Sequence, residues 1–81
     1  MVRKRLFISM EADLVKEPIL YNLVKEHDLV PSVRRADVTR EEAWIVLELQ
    51  GGSEEHVQEG IDYLTGLGAA VKSLQGDVLE S

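Results

Sequence analysis

Arg34 and Arg35 stand in succession just after Ser32 and Val33, in a segment that otherwise reads as a β-strand. A guanidinium beside a hydroxyl can hold a carboxylate or phosphate through charge-assisted hydrogen bonds. Strand alternation places Ser32 and Arg34 on one face and Val33 and Arg35 on the other. Asp37, Glu41, Glu42 and Glu48 lie nearby in the chain and offer ordinary ion-pair partners. Other residues able to do chemistry are sparse. His27 and His56 fall on separate predicted helices, and a zinc site needs three or four ligands at suitable spacing. His56 with Glu59 supplies only two, and a solvated, charged helix face explains that pair better. His27 sits at a helix end, where it suits the dipole or is half-buried. No serine or threonine occupies a GxSxG turn, and the glycine pairs lack a phosphate-loop lysine or GxGxxG spacing. The chain has no cysteine, so disulfides, CxxC redox chemistry and cysteine-held clusters are excluded. A non-catalytic protein without metal or cofactor is expected.

Composition sets the next bounds. The chain has 81 residues, nine Lys plus Arg against 15 Asp plus Glu, and a formal charge of −6. A single domain is expected, and at this size only about 60% of the unfolded surface becomes buried. Small domains of this kind often recover stability by dimerising. The acidic balance speaks against nucleic acid, which normally meets a basic footprint. No apolar run reaches the ~20 residues of a membrane span, and Met1-Val2-Arg3-Lys4-Arg5 leads into a strand rather than a signal peptide. A cytoplasmic location without membrane insertion follows as an expectation.

The elements that position these residues follow from periodicity. Residues 4–9 alternate as a strand, with Leu6 and Ile8 on one face and Arg5 and Phe7 on the other. Residues 10–16 form a connection. Pro18 sits where the first turn of a helix tolerates it, and Ile19, Leu20, Leu23 and Val24 recur at helical spacing. A second strand spans about 30–38, with Pro31 at its start or at a sheet edge. Trp44 to Leu49 is the strongest strand, with Ile45, Leu47 and Leu49 on one face and Trp44, Val46 and Glu48 on the other. Ser53 caps a second helix striped by Val57, Ile61, Leu64 and Leu67, and one of Gly66 and Gly68 ends it in the left-handed conformation. Gly60 within that stripe implies close packing on the sheet. Residues 69–74 give a last strand, the domain covers residues 1–75, and 76–81 form a polar tail.

Strand, helix, strand, strand, helix, strand is the ferredoxin-like α+β plan: a four-stranded antiparallel sheet with two helices on one face. If Leu6, Ile8, Ile45, Leu47 and Leu49 face the helices, Phe7, Trp44 and Val46 point to the open face. There they form a contact patch for a second copy or a ligand. Ser9-Met10-Glu11-Ala12-Asp13 is not the phosphate-cradling loop of an acylphosphatase, and Ala43 to Glu48 is acidic and aliphatic where an RNA-recognition strand is basic and aromatic.

In several ordered pieces the chain resembles the NIL domain, an ACT-like module. The pieces are Lys4-Arg5-Leu6-Phe7-Ile8, Glu17-Pro18-Ile19-Leu20-Tyr21-Asn22-Leu23, Val33-Arg34-Arg35-Ala36-Asp37-Val38, Val46-Leu47-Glu48-Leu49-Gln50-Gly51, and Tyr63-Leu64 before Gly68. The resemblance implies regulation by ligand binding. NIL domains are similar to the C-terminal domains of methionine-import ABC transporter ATPases, where they pair and bind methionine, and others are fused to ferredoxin modules. It therefore implies a homodimer that senses methionine or a related amino acid, or else a module docking on an ABC transporter ATPase, a ferredoxin or a sulfur-metabolism enzyme. The Asn-Ile-Leu for which the family is named aligns with Ser32, Val33 and Arg34. By that resemblance Ser32 offers a hydroxyl, Arg34 a carboxylate clamp, and Val33 or Phe7 an apolar wall.

Overall fold

A computed structural model describes residues 1–74; the expected tail at 76–81 lies outside the described residues. The elements are β1 (Val2–Glu11), a 3-10 turn (Ala12–Lys16), α1 (Ile19–Lys25), β2 (Val30–Val38), β3 (Glu42–Gly51), α2 (Glu54–Gly66) and β4 (Ala70–Ser73). The strands form one antiparallel sheet in the order β2-β3-β1-β4. This is the ferredoxin-like arrangement that the sequence predicts. β1 and β3 run longer than their apolar cores suggest, because each supplies the other's backbone partners from Val2 opposite Gly51 to Glu11 opposite Glu42. The connection after β1 contains the 3-10 turn, tied down where the Ala12 N–H donates to the Glu41 carbonyl at 3.1 Å.

The register sorts side chains by face. Leu6 lies opposite Leu47, Ile8 opposite Ile45, and Met10 opposite Ala43. All but half-buried Ile45 are buried, in one cluster with Ile19 and Leu23 of α1 and Val57 and Leu64 of α2. Both helices therefore cover the same face. Leu29 and Ala69, at the entrances to β2 and β4, complete this core. Gly60 packs as its place in the stripe implies. A Cβ there would stand 2.5 Å from Leu29 Cδ1 and 3.0 Å from Leu49 Cδ2, so the helix rests its backbone on the core leucines.

Helix ends are fixed by specific bonds. Ser53 Oγ accepts from the His56 N–H at 3.1 Å, which caps α2. At the other end Gly68, with φ +104°, takes the left-handed conformation while Gly66 does not. The Gly68 and Ala69 N–H groups return to the carbonyls of Thr65 and Leu64, a Schellman ending. Asp28 leaves α1 with φ 54°, a conformation that aspartate tolerates better than most residues.

His56 departs from its expected place on a solvated charged face. Half-buried, it accepts the Gly52 N–H at Nδ1 (3.0 Å), and its Nε2 stands 2.6 Å from the His27 carbonyl. An acceptor at Nδ1 puts the proton of the neutral ring on Nε2, which then donates to that carbonyl. The two histidines, remote in sequence, are thus joined, and the turn before α2 is stapled to the turn after α1. His27 itself packs its ring 4.9 Å from that of Tyr63, whose hydroxyl accepts from Asn22 Nδ2 at 2.8 Å.

Two stability outcomes follow. Gly60→Ala gains about 1 kcal/mol of helix propensity but overpacks buried leucines at a cost of about 1–3 kcal/mol. A lower midpoint in urea is expected, and a rise would show that the leucines yield freely. His56→Ala removes both bonds of the staple and should cost about 1–3 kcal/mol, read as a fall in thermal midpoint relative to His56→Gln, which keeps donor and acceptor atoms.

Candidate functional site

The arginine pair owes its placement to a β-bulge. Val33 lies opposite Leu47 but Arg35 lies opposite Val46, so Arg34 is an extra residue without a cross-strand partner. The reason is hydrophobic. Unbroken alternation from Val33 would turn Arg35 and Asp37 toward the helix side, against Ile45 and Ala43. One inserted residue puts Ala36 opposite Ile45 and Val38 opposite Ala43 instead. Arg35 and Asp37 then join Ser32 on the open side. This corrects the alternation expected from sequence, which set Arg35 apart from Ser32 and Arg34. The missed signal is the spacing itself: Val33 and Ala36 are three apart, where an unbroken strand needs two.

Arg34 and Arg35 line a single concavity of about 510 Å³ with Arg5, Val46 and Leu74. Arg5 reaches Glu48 at 3.7 Å, a partly exposed pair, while its Nε–H is enclosed and has no hydrogen-bond partner. Among the described residues the ion pairs are Lys4–Glu54 and Arg5–Glu48, and neither Arg34 nor Arg35 has a carboxylate within reach. The register adds Arg3 and Lys72 to the same side, so five of the nine Lys and Arg residues gather on the open face, around Glu48 and Asp37 with Glu11 and Glu42 at one end. The acidic whole carries a locally basic concavity. An oxyanion placed there meets the guanidinium groups of Arg5, Arg34 and Arg35 beside the apolar walls of Val46 and Leu74.

The expected ligand-binding residues do not all converge. Ser32 lies opposite Glu48 on the open side, and Arg34 lines the concavity. Val33 lies on the helix side of β2, opposite Leu47. It shares that side with an apolar groove of about 280 Å³ whose lining includes Val15, Leu20, Ala36, Val38 and Ile45. Phe7, Trp44 and Val46 do stand together on the open face. The Phe7 and Trp44 rings stack at 5.8 Å and 18°, and Val46 lies opposite both Phe7 and Arg35. All three are half-buried, so much of their apolar surface is already spent within the sheet. Arg5 and Leu74 line the concavity without having been singled out from the sequence, and Arg35 joins them by the bulge.

No helix among the described residues is long and apolar enough to cross a membrane. No curated protein matches the chain. Among solved structures, the C-terminal domain of an ABC transporter ATP-binding protein from Enterococcus faecalis superposes with a TM-score of 0.73. It is 17% identical, over 88% of this chain and 82% of that one, a likeness that establishes the fold. The NIL domain matches residues 4–73, nearly the whole described chain, with the bulged second strand inside the match. The chain belongs to the NIL domain family.

Proposed function

We propose that this NIL domain is a non-catalytic regulatory module that binds methionine or a related small amino acid and acts as a homodimer. The observation that carries the reading is the bulge, which turns Arg34 and Arg35 to one side, next to Val46 and Leu74 and with no ion-pair partner among the described residues. An amino acid has the matching parts. Its carboxylate takes Arg34 and Arg35, and its side chain lies along Val46 and Leu74. Glu48, opposite Ser32 across the strands, receives the ammonium group, and the Ser32 hydroxyl adds a hydrogen bond. Val33, on the helix side of the sheet, faces away from this ligand. The solved relative, being part of an ABC transporter ATP-binding protein, supports a second reading in which the module docks on such a subunit without a small ligand.

Thermal unfolding across a panel of amino acids separates the two readings. At about 100 times its dissociation constant a ligand adds roughly 2.7 kcal/mol, a rise of more than about ten degrees for a domain of this size. Methionine is expected to give that rise. Arg34→Ala and Arg35→Ala should each weaken binding by roughly 10–150-fold, the equivalent of about 1.5–3 kcal/mol for a charged hydrogen bond. Glu48→Gln should weaken it for methionine but not for the des-amino acid. A flat panel at millimolar concentration counts against the sensor and for docking.

A further inference from the structure

The open face is polarised along its strands. Side chains opposite one another form rows across the sheet. Lys72, Phe7, Val46 and Arg35 make one row, and Arg5, Glu48 and Ser32 make the next toward the start of β1. Arg3 opposite Gln50 lies one row further, and Arg34 bulges from β2 beside them. These rows hold five cations and one acid, Glu48. Beyond Phe7 the sign reverses: Asp37 lies opposite Trp44, and Glu42 opposite Glu11, with no strand cation among them. The concavity lies in the cationic half, and of its five lining residues three are arginines and none is acidic. Glu48 stands 3.7 Å from Arg5, too far for a hydrogen bond, so it offsets part of one charge through space.

We propose that this concavity takes a small phosphate monoester, its phosphate group shared among Arg5, Arg34 and Arg35 and its organic part lying against Val46 and Leu74. This rests on the reading of the concavity as the ligand site and adds a second ligand class to it. The new ligand excludes the amino acid, because both need Arg34 and Arg35. The charge and shape of the acidic group carry the inference. A carboxylate brings a single charge and two oxygens in one plane, enough for the two arginines of the bulge. A phosphate monoester brings about −1.5 to −2 charge near neutral pH and three terminal oxygens, one for each guanidinium that lines the concavity. Arginine suits this group because its planar fork matches two oxygens at once. A dicarboxylate spreads its charges apart, whereas the three arginines line one concavity. The same polarity disfavours a nucleic-acid strand, whose further phosphates, following the sheet, would meet Asp37, Glu42 and Glu11. The face suits one phosphate group and not a chain of them. Competition at the arginines makes the module answer to the ratio of two ligands rather than to the amino acid alone.

Phenyl phosphate, phenyl sulfate and benzoate test this, because they share one apolar body and differ in the acidic group. Calorimetric titration of the 81-residue chain should rank phenyl phosphate first. Phenyl sulfate, with the same three oxygens and a single charge, should bind roughly tenfold more weakly, the effect of one charge at partly exposed arginines. Arg5→Gln, Arg34→Gln and Arg35→Gln should each weaken phenyl phosphate by roughly 10–150-fold, the loss of one charged hydrogen bond. Arg3 lies on the same face outside the concavity, where its Nε donates to Gln50 Oε1 at 3.0 Å. Arg3→Gln removes the same charge there and should change the affinity far less. Glu48→Gln gives opposite signs for the two ligands: it relieves Arg5 of its acid and tightens phenyl phosphate, while it weakens methionine. Equal affinity for the three acids, or an equal loss in Arg3→Gln, shows a diffuse charge effect and overturns the proposal. Binding to phosphatidate-containing vesicles without binding to phenyl phosphate overturns it too, and assigns the arginines to a lipid headgroup. A methionine shift in thermal unfolding with no affinity for phenyl phosphate rejects the phosphate and keeps the amino-acid sensor. Phenyl phosphate binding that is lost in the arginine variants, beside a flat amino-acid panel, keeps the phosphate site and rejects the sensor.

Discussion

The antiparallel ladder between β1 and β3 governs the rest of the molecule. It runs without interruption from Val2 opposite Gly51 to Glu11 opposite Glu42, and side chains directly opposite share a face. Once Leu6 is opposite Leu47, the helices have one surface to cover, and Arg5, Phe7, Trp44, Val46 and Glu48 are committed to the other. A slip of one residue in one strand would put charged and apolar side chains on the same face, so the register is specified strongly. β2 and β4 dock on this pair and inherit its faces. Where β2 cannot inherit them with unbroken alternation, it takes a bulge. The basic concavity is therefore a consequence of satisfying the apolar side of the sheet.

The elements and their order were legible because each rested on a local signal several residues long. Ile45, Leu47 and Leu49 alternate, Val57, Ile61 and Leu64 recur with helical spacing, and Ser53, Gly60 and Gly68 do what their chemistry suggests. The site was less legible. Ser32 and Arg34 were singled out, but Arg35 was assigned to the wrong side because alternation was carried through a segment whose apolar residues are three apart. Arg5 and Leu74 belong to β1 and to the chain just after β4, and only the strand order brings them to β2. No local pattern contains such a contact. The His56 staple escaped for a related reason: its acceptor is a backbone carbonyl, at His27, which leaves no trace in side-chain chemistry.

Net charge and local charge differ in this chain. A total of −6 describes the field at a distance, where the chain is an acidic body. At contact, screening limits each charge to a range of about 10 Å at 0.1 M salt, and what an approaching group meets is the face it approaches. The helical side carries Glu54, Glu55, Glu59 and Asp62 on α2, while Arg3, Arg5, Arg35 and Lys72 gather across the sheet. A chain so divided can be acidic overall and still carry a basic concavity on one face.

The same division explains why β2 serves both as an edge and as a wall of the site. A fully apolar edge would associate without regulation, and a fully charged one would not associate. β2 has one character on each side. Val33, Ala36 and Val38 take the helix side, and Ser32, Arg35 and Asp37 take the open side, with the bulge at Arg34 as the point where the strand keeps both patterns in phase.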